Sequence, residues 1–217
     1  MTSTEELVNW SYERKCFKAT ESLTENGFAA LYCPTRREAR DYILAEAADA
    51  ESVGFGGSLS VADLDVAGPL REMGKELLMH SAPGLSPEER RAIMRRQLTS
   101  DLFLTGTNAL TLSGCLVNID ATGNRAGSMF FGPNKVIVVA GRNKLVDGDI
   151  AAAVKRIKEH SAPPNSRRLN FKTPCASTGF CCDCKSPDRI CRITTVIDRK
   201  PRLTDLRVLV VNEEMGL

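Results

Sequence analysis

Five of the eight cysteines of this 217-residue chain fall between Thr173 and Arg192. Cys175, Cys181, Cys184 and Cys191 follow the spacing C-x5-C-x2-C-x6-C, and Cys182 is a fifth thiol beside them. Thiolates bind soft or borderline metals, so four of them in one short loop point to an iron-sulfur cluster or to a zinc tetrathiolate. Zinc ribbons and knuckles usually present two C-x2-C pairs. Here only one such pair occurs, flanked by longer arms, which favours a 4Fe–4S cubane gripped by an irregular loop, with zinc as the alternative. Cys181 is preferred to Cys182 because it forms the C-x2-C pair with Cys184. Gly179 allows a tight turn at such a site, Phe180 could shield it, and Ser177 and Thr178 could donate to sulfur. Lys185, Arg189 and Arg192 would offset negative charge. Cys16, Cys33 and Cys115 read as small buried apolar residues.

Two other segments carry groups suited to binding. Gly54-Phe55-Gly56-Gly57-Ser58 follows a strand-like run and precedes a helix-like one, a place where backbone N–H groups can cradle an anion. It lacks the third glycine and the acidic partner of a dinucleotide fingerprint, and a tight turn without a ligand is its bland reading. Downstream, Thr105-Gly106-Thr107-Asn108 ends one strand and Asn118-Ile119-Asp120-Ala121-Thr122-Gly123-Asn124-Arg125 ends another. In open α/β sheets ligands collect beyond the carboxyl ends of strands. Arg125 is the candidate for holding a small anionic carboxylate, Asn108, Asn118 and Asn124 for reading its oxygens, and Asp120 for general base. The alternative is that Asp120 and the asparagines cap turns and Arg125 pairs with Asp120. His80 and His160 are assigned no role.

The elements needed to hold these residues can be read in order. Residues 4–26 form a charged helix expected to lie on the surface, ended by Asn26-Gly27. Phe28–Cys33 reads as a strand, and Thr35-Arg36-Arg37-Glu38 starts a helix through about Ala50. Ser52–Phe55 is the next strand, a short helix follows near 60–64, and Glu76–His80 is a weaker strand. Ser86-Pro87-Glu88-Glu89 opens a helix whose buried side would carry Ala92, Ile93 and Leu98. Leu102–Leu104, Cys115–Ile119 and Val136–Ala140 are buried strands, the last of central parallel type. Asp147 is expected to cap a helix through His160, and Ser161–Ser166 to be a linker or rim loop. Ile193–Ile197 and Val208–Val211 are final strands, so the cysteine loop is an insertion anchored at both ends. The alternation predicts an α/β domain, a mostly parallel sheet flanked by helices, over 27–217, with residues 1–26 as an N-terminal helix.

The totals narrow the class. A formal charge of +2, from 29 basic and 27 acidic residues, gives no electrostatic case for a nucleic-acid partner. No basic n-region precedes an apolar run at the N-terminus, and no apolar stretch approaches the roughly 18 residues of a membrane span. A cytoplasmic protein is expected, where clustered thiols signal metal or redox chemistry more often than disulfides. A homodimer is the base-rate expectation for assembly.

The run Gly54–Ser58, the block from Gly106-Thr107-Asn108-Ala109 through Leu116–Asp120 to Gly123-Asn124-Arg125, the strand Lys135–Gly141, Thr173-Pro174-Cys175 and Ser186-Pro187-Asp188-Arg189-Ile190-Cys191 together resemble the LUD-domain family of lactate-utilization proteins, in particular its small members with a C-terminal cysteine motif. The resemblance covers most of residues 25–217. It implies a fold like that of sugar-phosphate isomerases and coenzyme A transferases, and a setting in redox carbon metabolism beside iron-sulfur partner proteins. Cys182 departs from the pattern.

Three readings follow. The favoured one is a protein that binds a small hydroxy- or keto-carboxylate at the strand ends and carries an iron-sulfur cluster on the cysteine loop. The second is a non-redox isomerase or acyl transferase acting on a phosphosugar or coenzyme A thioester, with Asp120 as base and Gly56-Gly57 holding phosphate. The third is a zinc-stapled, non-catalytic subunit that docks on an iron-sulfur oxidoreductase.

Overall fold

A computed structural model describes residues 3–217. The chain runs α1 (Thr4–Glu25), β1 (Ala29–Cys33), α2 (Arg36–Glu46), β2 (Ser52–Phe55), α3 (Leu59–Ala62), α4 (Ala67–Glu72), β3 (Glu76–Leu78), α5 (Pro87–Gln97), β4 (Leu102–Gly106), β5 (Ala109–Thr111), β6 (Leu116–Asp120), α6 (Asn124–Phe130) and β7 (Lys135–Gly141). A 3-10 turn, Arg142–Lys144, leads to β8 (Leu145–Val146), α7 (Ile150–Arg156), a π-helical turn (Ile157–Ser161), α8 (Ala162–Arg168), α9 (Pro174–Thr178), β9 (Ile193–Ile197) and β10 (Asp205–Val211).

Six strands form one parallel sheet in the order β1-β10-β7-β4-β2-β3. Its centre is the β-branched run of β7, and the two-residue period of that strand sends alternate side chains to opposite faces. Ile137 and Val139 pack with Ile43 of α2 and with Val61 and Leu70 around α3 and α4. Val136, Val138 and Ala140 pack on the other face with Leu23 of α1, Met129 of α6, and Leu110 and Leu116. Each such fully buried aliphatic side chain contributes about 1.5–3 kcal/mol relative to exposure.

The sheet is therefore the expected one, but it does not contain every strand. The run expected at Cys115–Ile119 is β6, and it belongs to a second sheet ordered β8-β5-β6-β9. There β6 pairs antiparallel with both β5 and β9. A turn at Ser113-Gly114 reverses the chain after only three residues of β5, too short a connection for a parallel crossover. This small sheet covers one face of the large one, and α7 with Ile157 covers its outer face.

Other expectations are corrected. The second half of α1 is not a surface element throughout, since Cys16, Ala19 and Leu23 are fully buried. In α5 the buried residue is Gln97, while Ala92 is exposed. Gln97 is drawn inward because its amide reaches the carbonyls of Phe55 and Leu78, both at 2.8 Å. The helix after β8 is capped by Asp149 rather than Asp147, through an acceptor for the Ala152 N–H at 2.9 Å. Ser161–Ser166 is not a linker. Its prolines sit in the first turn of α8, where a missing N–H is tolerated, and the wider π turn before them lets the helix continue. Among the described residues, no helix is long and apolar enough to cross a membrane.

Candidate functional site

Parallel strands β2, β4 and β7 end on the same side of the sheet, and beyond them lies a cavity of about 560 Å³. Its walls bring together Gly56, Gly57 and Ser58 after β2, Gly106 and Asn108 after β4, Asp120, Asn124 and Arg125 after β6, and Cys191 from the cysteine loop. The two loops singled out in the sequence thus share one space with one of the predicted ligand cysteines. Asn118 is fully buried behind this wall.

Arg125 is held entirely by the protein. Its Nε donates to Asp120 Oδ1 at 2.9 Å, Nη1 donates to Asn118 Oδ1 at 2.7 Å and the Gly106 carbonyl at 3.3 Å, and Nη2 donates to Asn108 Oδ1 at 2.8 Å and to the Ile119 carbonyl at 3.4 Å, with a further contact to Asp120. A guanidinium has five N–H donors, and these contacts account for all of them. Asp120 is likewise engaged, since its second oxygen accepts the Ala126 N–H at 2.9 Å. Asn108 and Asn118 also cross-link the loops through each other's neighbours: the Asn108 N–H donates to Asn118 Oδ1, and the Ile119 N–H donates to Asn108 Oδ1, both at 3.0 Å. The constellation is a buried polar tie that fixes the ends of β4 and β6. Asn124 differs, for its carboxamide makes no protein hydrogen bond among the described residues and it lines the cavity.

The glycine loop is shaped by close packing. The Gly56 N–H donates to the Leu104 carbonyl at 2.9 Å, and a Cβ on Gly56 would stand 2.8 Å from Thr105 Oγ1. Gly57 has φ +73°, and Ser58 caps α3. His80 also faces this loop. It lines the cavity, its Nδ1 lies 3.0 Å from Gln97 Nε2, and burial lowers its pKa.

The residue that sequence reasoning missed is Lys144. A Cβ on Gly141 would meet backbone atoms of Met215 at 2.7 Å and Glu213 at 2.8 Å, so only glycine lets the chain leave β7 along this path into the 3-10 turn. That turn delivers Lys144 into the cavity wall, 4% exposed. Its Nζ donates to Ser60 Oγ at 2.6 Å, and the Ser60 hydroxyl donates to the Met215 carbonyl. Gly106 is required by this close packing, since a Cβ there would lie 2.5 Å from Ser58 Oγ and 3.3 Å from the Val139 carbonyl. No carboxylate lies within ion-pair distance of Lys144 among the described residues. The signal in the sequence was positional: a lysine just past the end of the central strand.

Burial, with the Arg156 and Arg125 charges adding to it and Asp63 opposing, lowers the Lys144 pKa from 10.5 to about 7. Between those values the unfolded chain holds a proton that the folded chain has released, so stability rises with pH across this window and is least at and below pH 7. From pH 7 to pH 9 the rise is at most about 3 kcal/mol, two tenfold steps in proton concentration at about 1.4 kcal/mol each. Above pH 9 buried Cys16 and Cys33 act the other way, because burial raises them to about 11 and about 12 and their unfolded forms ionise first. Lys144→Met should flatten the rise between pH 7 and pH 9 and increase stability at pH 7, as read from urea midpoints. Equal wild-type midpoints at pH 7 and pH 9 would contradict it.

The cysteine loop is anchored as expected. Thr173 Oγ1 lies 2.6 Å from Ser166 Oγ, Asp188 accepts the Lys172 N–H at 2.9 Å, and β9 joins the small sheet directly after Arg192. Gly179, at φ +81°, ends α9. All eight thiols are free, and of the five in the loop only Cys182 is exposed. Burial raises the Cys191 pKa. The Arg189 guanidinium bonds the Cys184 and Cys191 carbonyls at 2.5 and 2.6 Å, next to both thiols. Phe180 does not shield the loop but is 78% exposed. Ser177 and Thr178 bond the Pro174 carbonyl rather than sulfur, and it is Thr173 Oγ1 that lies 3.3 Å from Cys175 Sγ. Among the described residues, no three His, Cys, Asp or Glu side chains converge as ligands of a single metal ion.

Fold and site together define an α/β protein with a strand-end cavity and a thiol-rich loop at its rim. The LUD domain profile matches residues 16–211, and the chain belongs to that family. The crystal structure of a DUF162 family protein from Deinococcus radiodurans is similar in fold, with a TM-score of 0.53 and 16% identity over 92% of this chain and 98% of that chain. No curated protein matches.

Proposed function

We propose that this LUD-domain protein binds a small hydroxy- or keto-carboxylate in the strand-end cavity and carries an iron-sulfur cluster on Cys175, Cys181, Cys184 and Cys191, acting in redox carbon metabolism. The observation that carries the reading is the position of Cys191, which lines the same cavity as Lys144, Asn124 and Gly57. The donor set suits the cluster chemically: four reduced thiols in one loop, with Arg189 positioned against their charge. A cubane binds its thiolates through separate iron corners, so they need not converge on one point, whereas zinc needs four sulfurs each about 2.3 Å from one ion. When bound, such a cluster supplies one-electron transfer at the cavity rim.

The chain's own residues perform the rest. Buried Lys144, which lines the cavity, has no carboxylate partner among the described residues, so the cavity favours an anion, and Asn124 offers an unspent carboxamide to a second oxygen. Arg125, proposed from sequence as the acid-binding group, serves instead to hold Asn108, Asn118 and Asp120 in place. With both Asp120 oxygens accepting hydrogen bonds, an isomerase reading that uses it as base has no observation in its favour. Anaerobic purification with iron, sulfide and zinc counted on the same sample tests the proposal. Iron with acid-labile sulfide is expected, and one zinc per colourless chain would overturn the redox part.

A further inference from the structure

We propose that the Lys144 amine is the nucleophile of this cavity, condensing with the carbonyl carbon of a small anionic oxo compound, a 2-oxo acid, to form a protonated imine. The proposal rests on the cavity being the carboxylate site and is independent of the metal on the loop. Among the described residues, Lys144 has one hydrogen-bond partner, Ser60 Oγ, and no counter-ion. A surface lysine is a solvated cation and a poor nucleophile, whereas a desolvated lysine beside other cations keeps its lone pair. Three groups charge its surroundings: Arg156, whose bonds go to the carbonyls of Asn143 and Asn108 and to Ser161 Oγ; Arg125, already neutralised by Asp120; and Asp63, which accepts the Gly216 N–H at 2.7 Å. The lowered proton affinity described above agrees with this placement.

The reaction needs nothing beyond the two partners. The nitrogen lone pair forms a C–N bond to the carbonyl carbon, the carbonyl π pair moves to oxygen, and that oxygen takes the proton leaving nitrogen. Loss of water with a second proton then leaves C=N, which is protonated as the iminium. Ser60, hydrogen-bonded to Nζ on one side and to the Met215 carbonyl on the other, is the hydroxyl placed to pass a proton. The substrate class follows from charge as well as from reactivity. An iminium buried without a counter-ion requires an anion on the ligand, so a neutral ketone is a poor fit and an oxo acid supplies both functions. Lys144 itself lines the cavity, so a carbonyl carbon bound there has access to this side chain.

Incubation of the isolated full-length protein with pyruvate and cyanoborohydride, followed by peptide mapping, tests this. The expected result is a single 1-carboxyethyl group on Lys144 in the wild-type chain, with acetone giving none and Lys144→Met losing the label. The mapping uses the wild-type protein, so it stands even where a variant misfolds. Thermal stabilisation by pyruvate with Lys144 unmodified, or label spread over surface lysines, would overturn the imine and leave the cavity as an anion site. Neither label nor stabilisation would overturn both this proposal and the carboxylate reading of the cavity.

Discussion

Arg125→Met is expected to destabilise the protein by about 3–5 kcal/mol, a fall in melting temperature of roughly 10 °C. The reason is that the guanidinium is the only cation within ion-pair distance of Asp120 among the described residues, and both side chains are nearly buried, at 13% and 6% exposure. Removing it leaves a carboxylate without its charge partner and takes donors from Asn108 and from Asn118, which is fully buried. Asp120→Asn keeps the shape and should cost less, about 1–3 kcal/mol. The outcome separates two roles. If Arg125 acted mainly by gripping a ligand, its loss would weaken binding while leaving stability within about 0.5 kcal/mol, as for substitutions outside the core. Urea unfolding of the two variants, run alongside a pyruvate titration, reads both quantities.

The second large effect is expected on the loop. Cys184→Ala should abolish bound iron and sulfide and bleach the visible spectrum, while Cys182→Ala should leave all three unchanged. Cys182 is exposed, whereas Cys181 and Cys184 are partly buried and Arg189 bonds the Cys184 and Cys191 carbonyls. The loop lies outside the hydrophobic cores, so the apo variants should remain folded. Loss of metal from Cys182→Ala with retention in Cys181→Ala would reverse the choice between the adjacent thiols.

Local signals made the large sheet legible. The β-branched run of β7, the caps at Thr35 and Ser86, and the four-residue strand at Ser52 all carry their information within a few residues, and each element lies where that information put it. What escaped was decided by tertiary context. Strand β6 reads like any buried strand, and its placement in a second sheet is set by a three-residue partner too short to announce itself. The prolines at 163 and 164 read as a linker because their tolerance depends on the π turn before them. The site divides in the same way. Residue types and strand ends were enough to gather Gly57, Asn108, Asp120 and Arg125 at one cavity, but hydrogen-bond saturation of Arg125 is a property of five partners at once. Lys144 escaped for the converse reason. Nothing about a lysine in a charged turn reveals that Gly141 lets it be buried without a counter-ion.

The central claim is that the thiol loop and the carboxylate cavity form one site, joined at Cys191. The direct measurement is the electron paramagnetic resonance spectrum of anaerobically purified, dithionite-reduced protein, recorded with and without saturating pyruvate. The account predicts a cluster signal whose line shape or g-values change when the ligand enters, because one cluster ligand lines the ligand's cavity. A cluster signal identical in both samples, with pyruvate binding shown independently, would contradict it.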